Sequence, residues 1–589
     1  MSSLVRDHLN FSEKKTLLFV IIIFGVLAVY RGIHLWITGF YVSDEFGYVM
    51  VAINGTYWIF NHQFAAFRPF LLNINFFLFH LLGIDTGSKF AMFLPFCLFF
   101  WNVLLMISAY GILKLLGLDK RTVNFCLLFS VFLVGVVVLG QGFLSEGPSV
   151  ALAMFGVFLF VLYAKSRHRM AITLPFFIGL TFAATSYMRE PYRIFLLLGV
   201  IVVAILSWIR SSEFKLSKKI GMLFLIFSVM LFVAGWYVGY NTPEITTYQP
   251  PVYQLPTGQV VTVRPETTNQ TITTTAIINE TSTTRTSSVI QDQFLSPLSL
   301  MVSGINAHGF ILTVTMFFLG LFSALNPFLG LFSLVGILIL TKTVIKTRNS
   351  VYIAAFSCSL ISILQYIAVS ALMTSGAAFR ISENLSTIIR YGQMITPIYF
   401  LGVPFVIKRL SKRNLLTIFV LLLVFSIGAF GVYQQSMQTH LSFGYPYANG
   451  QMIFDLDYRT PFARLRDDIV ANKFSGQIIV FGEPCDRSYY DNFTIHWNMI
   501  PGTENLPHVT FYPYVSENTF DILRPSTFYI YGEANDSIAK MVNHAPYLLH
   551  FIFFDKEYGN TDWYQVENLR VVHSGSDAII ILVELSWLR

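Results

Sequence analysis

Two adjacent carboxylates, Asp44 and Glu45, stand about seven residues beyond the first long apolar segment, in Ser43-Asp-Glu-Phe-Gly-Tyr48. One carboxylate of such a pair can take a proton from a hydroxyl nucleophile while the other holds a metal ion or hydrogen-bonds the acceptor. The alternative is a solvated loop or a helix N-cap at Asp44, where negative charge is favourable. The pair predicts an acid–base or cation site, and the capping role competes with it.

Further ionisable residues stand near the ends of separate apolar segments. Charges in so apolar a chain are costly near a bilayer and usually line an aqueous cavity or a polar substrate site. The candidates besides the acidic pair are Arg68, Lys89, Glu146, Arg189, Glu190, Arg193, Arg380, Glu383 and Arg390. Acid and base therefore meet on one predicted face of the chain.

Arg390 and Tyr391 open a late apolar segment in Ile389-Arg-Tyr-Gly-Gln-Met-Ile-Thr-Pro397. A guanidinium at headgroup level suits bidentate contact with a phosphate, and the tyrosine adds a donor. A snorkelling interfacial arginine would have the same sequence. Both interpretations stay open.

The other candidates have structural alternatives too. Arg189-Glu190-Pro191 and Arg193 are equally consistent with an intramolecular ion pair. Glu146, in Leu144-Ser-Glu-Gly-Pro148, is either a turn residue or a partner of one of these arginines.

The elements that carry these residues are predicted to be membrane helices. Of 589 residues, 54% are hydrophobic and 12% are charged, against roughly 25% charged in soluble globular proteins. This composition excludes a soluble single domain and a nucleic-acid binder. No His/Cys cluster, HExxH, Walker loop or GxGxxG context occurs, so a zinc site, nucleotide hydrolysis and hydride transfer have no sequence support.

Apolar runs of membrane-spanning length predict about eleven transmembrane helices. They lie at about 17–37, 90–113, 123–141, 149–164, 170–188, 194–209, 220–240, 326–341, 351–372, 392–407 and 414–433. Segments 64–82 and 300–322 are interrupted or would disturb the alternation, so each is predicted to be an interfacial or re-entrant helix. Asn326-Pro327 is a natural break after the second of these.

Charge predicts the orientation. Of the 29 basic residues before position 434, 20 fall in alternate loops, which places the N-terminus in the cytoplasm and the C-terminal part outside. Sequons, which are glycosylated only on the exported side, agree with this except for the one at Asn10, which falls inside. Those in predicted outer segments are at Asn54, Asn269, Asn279, Asn384, Asn492 and Asn535.

The predicted fold is a polytopic α-helical membrane protein with a C-terminal exported mixed α/β domain. Residues 1–433 form the transmembrane domain, with a first outer loop at 38–89 and a Thr-rich outer loop at 241–299. Residues 434–589, which hold 10 basic and 18 acidic side chains, form the outer domain. Short apolar bursts at 477–481, 527–531, 548–554 and 577–583 predict strands, and 461–473 and 534–544 predict helices.

The order of these motifs resembles the GT-C superfamily of membrane glycosyltransferases, in the branch of protein O-mannosyltransferases and lipid A aminoarabinose transferases. The residues that carry the resemblance are the acidic pair, the Arg68-Pro-Phe-Leu-Leu72 segment, the Ser145–Pro148 hairpin and Arg390-Tyr391. It covers roughly residues 15–433 as a layout. No WWDYG-type motif follows the last helix, unlike in the oligosaccharyltransferase subunit that glycosylates asparagine.

The resemblance implies an inverting transferase that uses a polyprenyl- or dolichyl-phosphate sugar and a hydroxyl acceptor on the exported face. It implies that Asp44 is the catalytic base with Glu45 assisting, and that Arg68, Arg390, Tyr391 and Arg189 bind the donor phosphate. Glu146, Glu190, Arg193 and Lys89 are further site candidates. A divalent cation, Mg²⁺ or Mn²⁺, is left open, with Asp44 and Glu45 as its ligands. The predicted location is an archaeal or bacterial plasma membrane.

A polytopic transporter or lipid flippase is the alternative function. It predicts charges near helix midpoints and broken helices in repeat-related positions. Here the charges gather at the predicted outer ends, which favours the transferase.

Overall fold

The computed structural model describes the parts of the chain that carry most of the predicted helices. The described residues are 12–41, 45–54, 69–133, 142–165, 173–188, 252–254, 260–262, 313–374, 391–437, 456–457, 459–473, 478–482, 497–507, 509–512, 527–533, 564–574 and 578–587. The predicted crossings 194–209 and 220–240, helix 534–544 and strand 548–554 lie outside them.

Apolar α-helices dominate the described residues up to 437. They are α1 (Glu13–Thr38), α2 (Glu45–Asn54), α3 (Pro69–Leu82), α4 (Gly87–Leu115), α5 (Lys120–Phe129), α6 (Glu146–Lys165), α7 (Thr173–Met188), α8 (Thr313–Leu325), α9 (Pro327–Thr347), α10 (Ser350–Thr374), α11 (Thr396–Ile407) and α12 (Lys412–Met437). Within the described ranges, five helices, α1, α4, α6, α9 and α10, are long and apolar enough to cross a membrane. The polytopic helical architecture therefore agrees with the sequence, while the predicted total of eleven includes segments outside the described residues.

The first two long helices, α1 and α4, pack against each other in antiparallel directions. Their close approach needs a glycine, because a Cβ on Gly32 would lie 3.0 Å from Ala91 O and 2.6 Å from the Pro95 ring. At one end of the pair, Lys114 at the end of α4 bonds Glu13 at the start of α1, with Nζ and Oε2 2.8 Å apart. We call this the Lys114 end of the bundle, and the opposite end, where α1 finishes at Thr38, the Glu45 end.

Loops that the charge pattern assigns to the cytoplasm meet at the Lys114 end. Ser350 Oγ donates to Ala164 O at 3.0 Å, and Tyr352 Oη donates to Leu116 O. Arg121 likewise donates to a carbonyl in the turn between α11 and α12. The start of α10 is thereby joined to the ends of α4 and α6, which places these basic loops at one end of the bundle.

One predicted helix is wrong in its length. The apolar run 123–141 predicted a single crossing, but α5 ends at Phe129 and a 3₁₀ turn, Ser130–Phe132, follows it. Residues 134–141 of this run lie outside the described residues. Ser130 Oγ donates to Leu127 O at 2.6 Å, and Leu133 has an extended backbone. A serine hydroxyl bonded to the preceding turn competes with the helical ladder.

The two segments that were predicted to be interfacial or re-entrant, 64–82 and 300–322, each have one boundary set by a proline or an asparagine. Helix α3 starts at Pro69 and has 14 residues, too short for an untilted crossing. Helix α8 ends before Asn326, whose φ of +77° breaks the chain direction and whose Oδ1 accepts from Phe328 N to cap α9. The predicted break at Asn326-Pro327 is confirmed.

The described residues from 456 onward form one helix and a mixed sheet. The elements are α13 (Pro461–Ala471), β3 (Ile478–Gly482), β4 (Val509–Tyr512), β5 (Thr527–Glu533), β6 (Tyr564–Ser574) and β7 (Ala578–Trp587). The sheet order is β4-β3-β5-β7-β6, parallel among the first three strands and antiparallel at β5–β7 and β7–β6. Buried Phe462, Leu465 and Ile469 of α13 belong to the same apolar core as Ile580 and Leu582 of β7.

In the Thr-rich segment, six residues are described. They form a two-stranded antiparallel ribbon, β1 (Val252–Gln254) paired with β2 (Val260–Thr262).

Candidate active site

A buried arginine organises the Glu45 end of the bundle. Arg31 lies in the second-last turn of α1 and is fully buried. Its Nη2 lies 2.6 Å from Glu45 Oε2, and both side chains have no exposed surface. A buried charge is costly unless it is paired and hydrogen-bonded, and here the pair is charge-assisted.

The same guanidinium spans the segment that leads to the acidic pair. Arg31 Nη2 also donates to Phe40 O at 3.0 Å, and Nη1 lies 3.1 Å from His34 Nδ1. Phe40 precedes Asp44 in the chain, and Glu45 follows it directly. Arg31 therefore holds the chain on both sides of Asp44.

Glu45 joins the start of α2 to residues 142–145, which directly precede α6. Its second oxygen, Oε1, accepts a hydrogen bond from Phe143 N at 2.7 Å. The Phe143 ring packs against Phe79 of α3 and Phe90 of α4, with ring centroids 5.6 and 5.3 Å apart. Phe143 thus connects residues 142–145 to the start of α2 and to the first turns of α4.

Most of the predicted Ser145–Pro148 hairpin, including the candidate Glu146, is helical in the structure. Glu146 is the first residue of α6 and is buried, and Ser145 Oγ donates to its Oε2 at 3.3 Å. Carboxylates are favourable at a helix N-terminus because the backbone N–H groups there are unpaired. Two buried carboxylates, Glu45 and Glu146, therefore belong to segments that Phe143 N ties together.

Lys89, a further candidate, lies outside this buried cluster. Its Nζ bonds Asp85 Oδ1 at 2.7 Å, and the two side chains are 49% and 64% exposed. Such an exposed pair contributes little free energy. Tyr391 is half-buried and packs against the core of the helical bundle.

Most of the predicted phosphate-binding residues fall beyond what the structure describes. These are Arg68, Arg189 and Arg390. The predicted base Asp44 and the further candidates Glu190 and Arg193 also lie outside the described residues. Of the sequon asparagines, Asn54 ends α2, and the other five lie outside the described residues.

Sequence reasoning missed Arg31 as a site residue. It lies inside an apolar run, Val26 to Trp36, that predicts only a first crossing. The signal was present, because an arginine within a membrane helix requires a polar partner. Neighbouring His34 and Thr38 belong to the same cluster: Thr38 Oγ1 lies 3.4 Å from His34 Nδ1 and donates to His34 O at 2.8 Å.

The hydrogen bonds that Glu45 accepts affect whether it could bind the divalent cation considered in the sequence analysis. Both of its oxygens already accept strong hydrogen bonds, one from a guanidinium. A divalent cation on Glu45 would lie next to that positive charge, which is electrostatically unfavourable. A metal-binding role for Glu45 stays a prediction. Among the described residues, no group of three His, Cys, Asp or Glu side chains is arranged to hold a metal ion.

No protein family matches the chain, and no curated protein matches it in sequence. Solved structures do match. The chain is similar to ArnT of Cupriavidus metallidurans in the apo state, with a TM-score of 0.43 and 11% identity over 96% of this chain and 97% of ArnT.

A structure of the same ArnT bound to undecaprenyl phosphate has a TM-score of 0.42 and 9% identity, covering 96% of this chain and 98% of that one. The chain is also similar to the Archaeoglobus fulgidus oligosaccharyltransferase in complex with Zn and sulfate. That match has a TM-score of 0.38 and 13% identity over 91% of this chain and 70% of that one.

Proposed function

We propose that the protein is a membrane glycosyltransferase that moves a sugar from a polyprenyl-phosphate donor to a hydroxyl acceptor on the exported face. The observation that carries the proposal is the buried Arg31, which holds Phe40 O on one side of Asp44 and Glu45 on the other. A carboxylate that must meet a substrate in a fixed geometry needs such rigid support.

In the proposed reaction, Asp44 is the general base. The acceptor oxygen forms a bond to the anomeric carbon of the sugar as the bond from that carbon to the phosphate oxygen breaks. The acceptor proton passes to the Asp44 carboxylate, and the lipid phosphate leaves with both electrons of the broken bond. A single displacement of this kind inverts the anomeric centre.

Arginines are assigned to the leaving group. Arg68, Arg390 and Arg189, with the Tyr391 hydroxyl, would stabilise the negative charge that grows on the phosphate. Glu45 is assigned a positioning role in place of a catalytic one, because Arg31 and Phe143 N occupy both of its oxygens. Any divalent cation would then depend on Asp44 and the donor phosphate.

The separation of charge along the bundle supports an active site at the Glu45 end. The basic turns gather at the Lys114 end, which the positive-inside bias assigns to the cytoplasm. The buried carboxylates Glu45 and Glu146 lie at the opposite end of α1 and α4. The lipid phosphate of an exported donor would lie at that headgroup level, with its apolar tail between the helices.

The test is turnover by the purified full-length protein in lipid nanodiscs. A panel of radiolabelled polyprenyl-phosphate sugars is supplied with and without EDTA, and released lipid phosphate and free or transferred sugar are measured. One donor should be consumed, and Arg390→Ala should lower its turnover by about 10²-fold. Loss of turnover with EDTA would place a cation in the reaction.

A transporter would give a different result in the same preparation. No sugar–phosphate bond would be cleaved for any donor, while reconstituted vesicles would accumulate or translocate a labelled lipid. That outcome would overturn the transferase.

A further inference from the structure

The C-terminal end of α1 is capped mainly by the C-terminal part of the chain. The last four carbonyls of a helix have no partner within the helix. Here Leu35 O accepts from Gly39 N at 2.9 Å, and Thr38 O accepts from Thr460 N at 2.9 Å. The two between them, Trp36 O and Ile37 O, accept from Arg466 at 2.9 and 3.0 Å.

Arg466 is built for this contact. It lies on α13 and is 8% exposed. Besides the two α1 carbonyls it donates to Pro501 O at 2.7 Å and, through Nε, to Asp467 Oδ1 at 2.9 Å. A cation at a helix C-terminus is favoured by the helix dipole, and the last turn of α1 has no basic residue of its own.

The N-terminus of the neighbouring helix α4 is contacted by a negative charge, the Glu504 carboxylate. Glu504 Oε1 accepts from Ser88 N at 3.0 Å, in the first turn of α4, and Oε2 accepts from Ser88 Oγ at 2.7 Å. Gly502 N donates to the same Ser88 Oγ. A carboxylate at a helix N-terminus is again the favoured arrangement.

Two glycines of the helical bundle lie in close contact with the C-terminal residues. A Cβ on Gly87 would lie 2.0 Å from Met499 O, and Gly39, at a φ of +64°, lies against Thr460 and Ile500. Tyr41 Oη donates to Met499 O at 2.6 Å. Residues 39–41 are therefore clasped between the helical bundle and the C-terminal residues, directly before the segment that carries Asp44.

We propose that Arg466 and Glu504 are positioning residues that dock the C-terminal domain onto α1 and α4 and thereby fix the loop bearing Asp44. The domain is then a structural part of the active site. Arg466 holds the end of α1, and Glu504 holds the start of α4, where the Phe90 ring stacks on Tyr41, directly before the segment that carries Asp44. The effect on turnover rests on the proposed function. The effect on the loop does not.

The test is hydrogen exchange by mass spectrometry on the full-length protein in nanodiscs. In Arg466→Ala, the peptide spanning 36–45 should exchange about tenfold faster than in wild type, and Arg466→Lys should be intermediate. The matched control is Arg464→Ala, which removes an exposed arginine of the same helix and should leave the peptide unchanged. A peptide spanning 578–587 reports whether the sheet stays folded.

Turnover gives the second readout. Arg466→Ala should lower kcat about tenfold with an unchanged donor KM, since the donor site is intact while the base is less well held. If wild type turns over no donor, the proposed function fails while the exchange result still decides the docking.

An unchanged 36–45 peptide in a folded Arg466→Ala protein would overturn the proposal. If Arg466→Ala unfolds the sheet, Glu504→Gln decides instead. It preserves side-chain size, and it should speed exchange in the peptides spanning 36–45 and 86–90 while the sheet stays protected. Unchanged exchange in both would equally overturn the proposal.

Discussion

Arg31 Nη2 and Glu45 Oε2 lie 2.6 Å apart with both side chains fully buried, so an ion pair inside the apolar bundle joins α1 to the start of α2. The pair ties two segments that are 14 residues apart in the chain. Phe40 O shares the same guanidinium, so one side chain holds a residue before Asp44 and the residue directly after it.

Breaking this pair should strongly destabilise the protein. Arg31→Met leaves the Glu45 carboxylate buried without its cation, which costs about 3–5 kcal/mol. The thermal unfolding midpoint in nanodiscs should fall clearly. Adding Glu45→Met to Arg31→Met should recover part of the loss, since the double variant no longer buries an unpaired charge.

The exposed pair Lys89–Asp85 provides the matched control. Its N–O distance is 2.7 Å, close to that of the buried pair, yet both side chains are about half exposed or more. Lys89→Ala should cost about 0–1 kcal/mol. Equal midpoint shifts for Arg31→Met and Lys89→Ala would contradict the structural role given to Arg31.

Gly87 should tolerate no side chain while the C-terminal residues remain docked. Gly87→Ala places a methyl group 2.0 Å from Met499 O, and backbone cannot move aside as a flexible side chain can. Limited proteolysis should then cleave the C-terminal part faster. Gly25→Ala, whose Cβ would meet only the Phe99 ring at 3.2 Å in the same helix pair, should match wild type.

The contact between Glu504 and Ser88 should weaken in acid. Burial alone would raise the pKa of the Glu504 carboxyl. The hydrogen bonds that the carboxylate accepts, chiefly from Ser88, lower the pKa by more than burial raises it, so the pKa lies below its ordinary value of 4.5. A lowered pKa stabilises the folded state above the ordinary value, and the contribution is lost as pH falls through the folded pKa.

The measurement is the unfolding midpoint between pH 7 and pH 3 for wild type and Glu504→Gln. The wild-type midpoint should approach that of the variant as pH drops below about 4.5. Curves that stay parallel over the whole range would show that the Glu504 carboxylate does not stabilise the contact.

Helices were predictable where length and apolar composition decide them. Segments 17–37, 90–113 and 351–372 correspond to α1, α4 and α10 within a few residues. Composition could not reveal the early end of α5, since the helix gives way to a 3₁₀ turn at Ser130 inside an otherwise apolar run.

The strands show a similar division. Bursts at 477–481 and 577–583 correspond to β3 and β7, which are flanked by strands on both sides. Strand β6 was missed because it lies at the sheet edge and its register shifts twice, between Val566 and Asn568 and between Val571 and His573. Such irregularities remove the two-residue alternation on which strand prediction depends.

In the candidate site, the sequence indicated the acidic pair and the hairpin but not what holds them. Arg31 was hidden in an apolar helix, and Arg466 contacts α1 carbonyls about 430 residues earlier in the chain. A contact between residues so far apart in sequence leaves no local pattern. The roles of Asp44, Arg68 and Arg390 stay predictions.

The most direct test of the central claim compares Asp44→Asn with Asp85→Asn in donor turnover by the purified protein. Both variants remove one carboxylate between α1 and α4, but Asp85 is exposed and paired with Lys89. Asp44→Asn should lower kcat by about 10²–10⁴-fold, as loss of a general base does, while Asp85→Asn should stay within about twofold of wild type. Equal turnover in Asp44→Asn and wild type would contradict the assignment of Asp44 as the base.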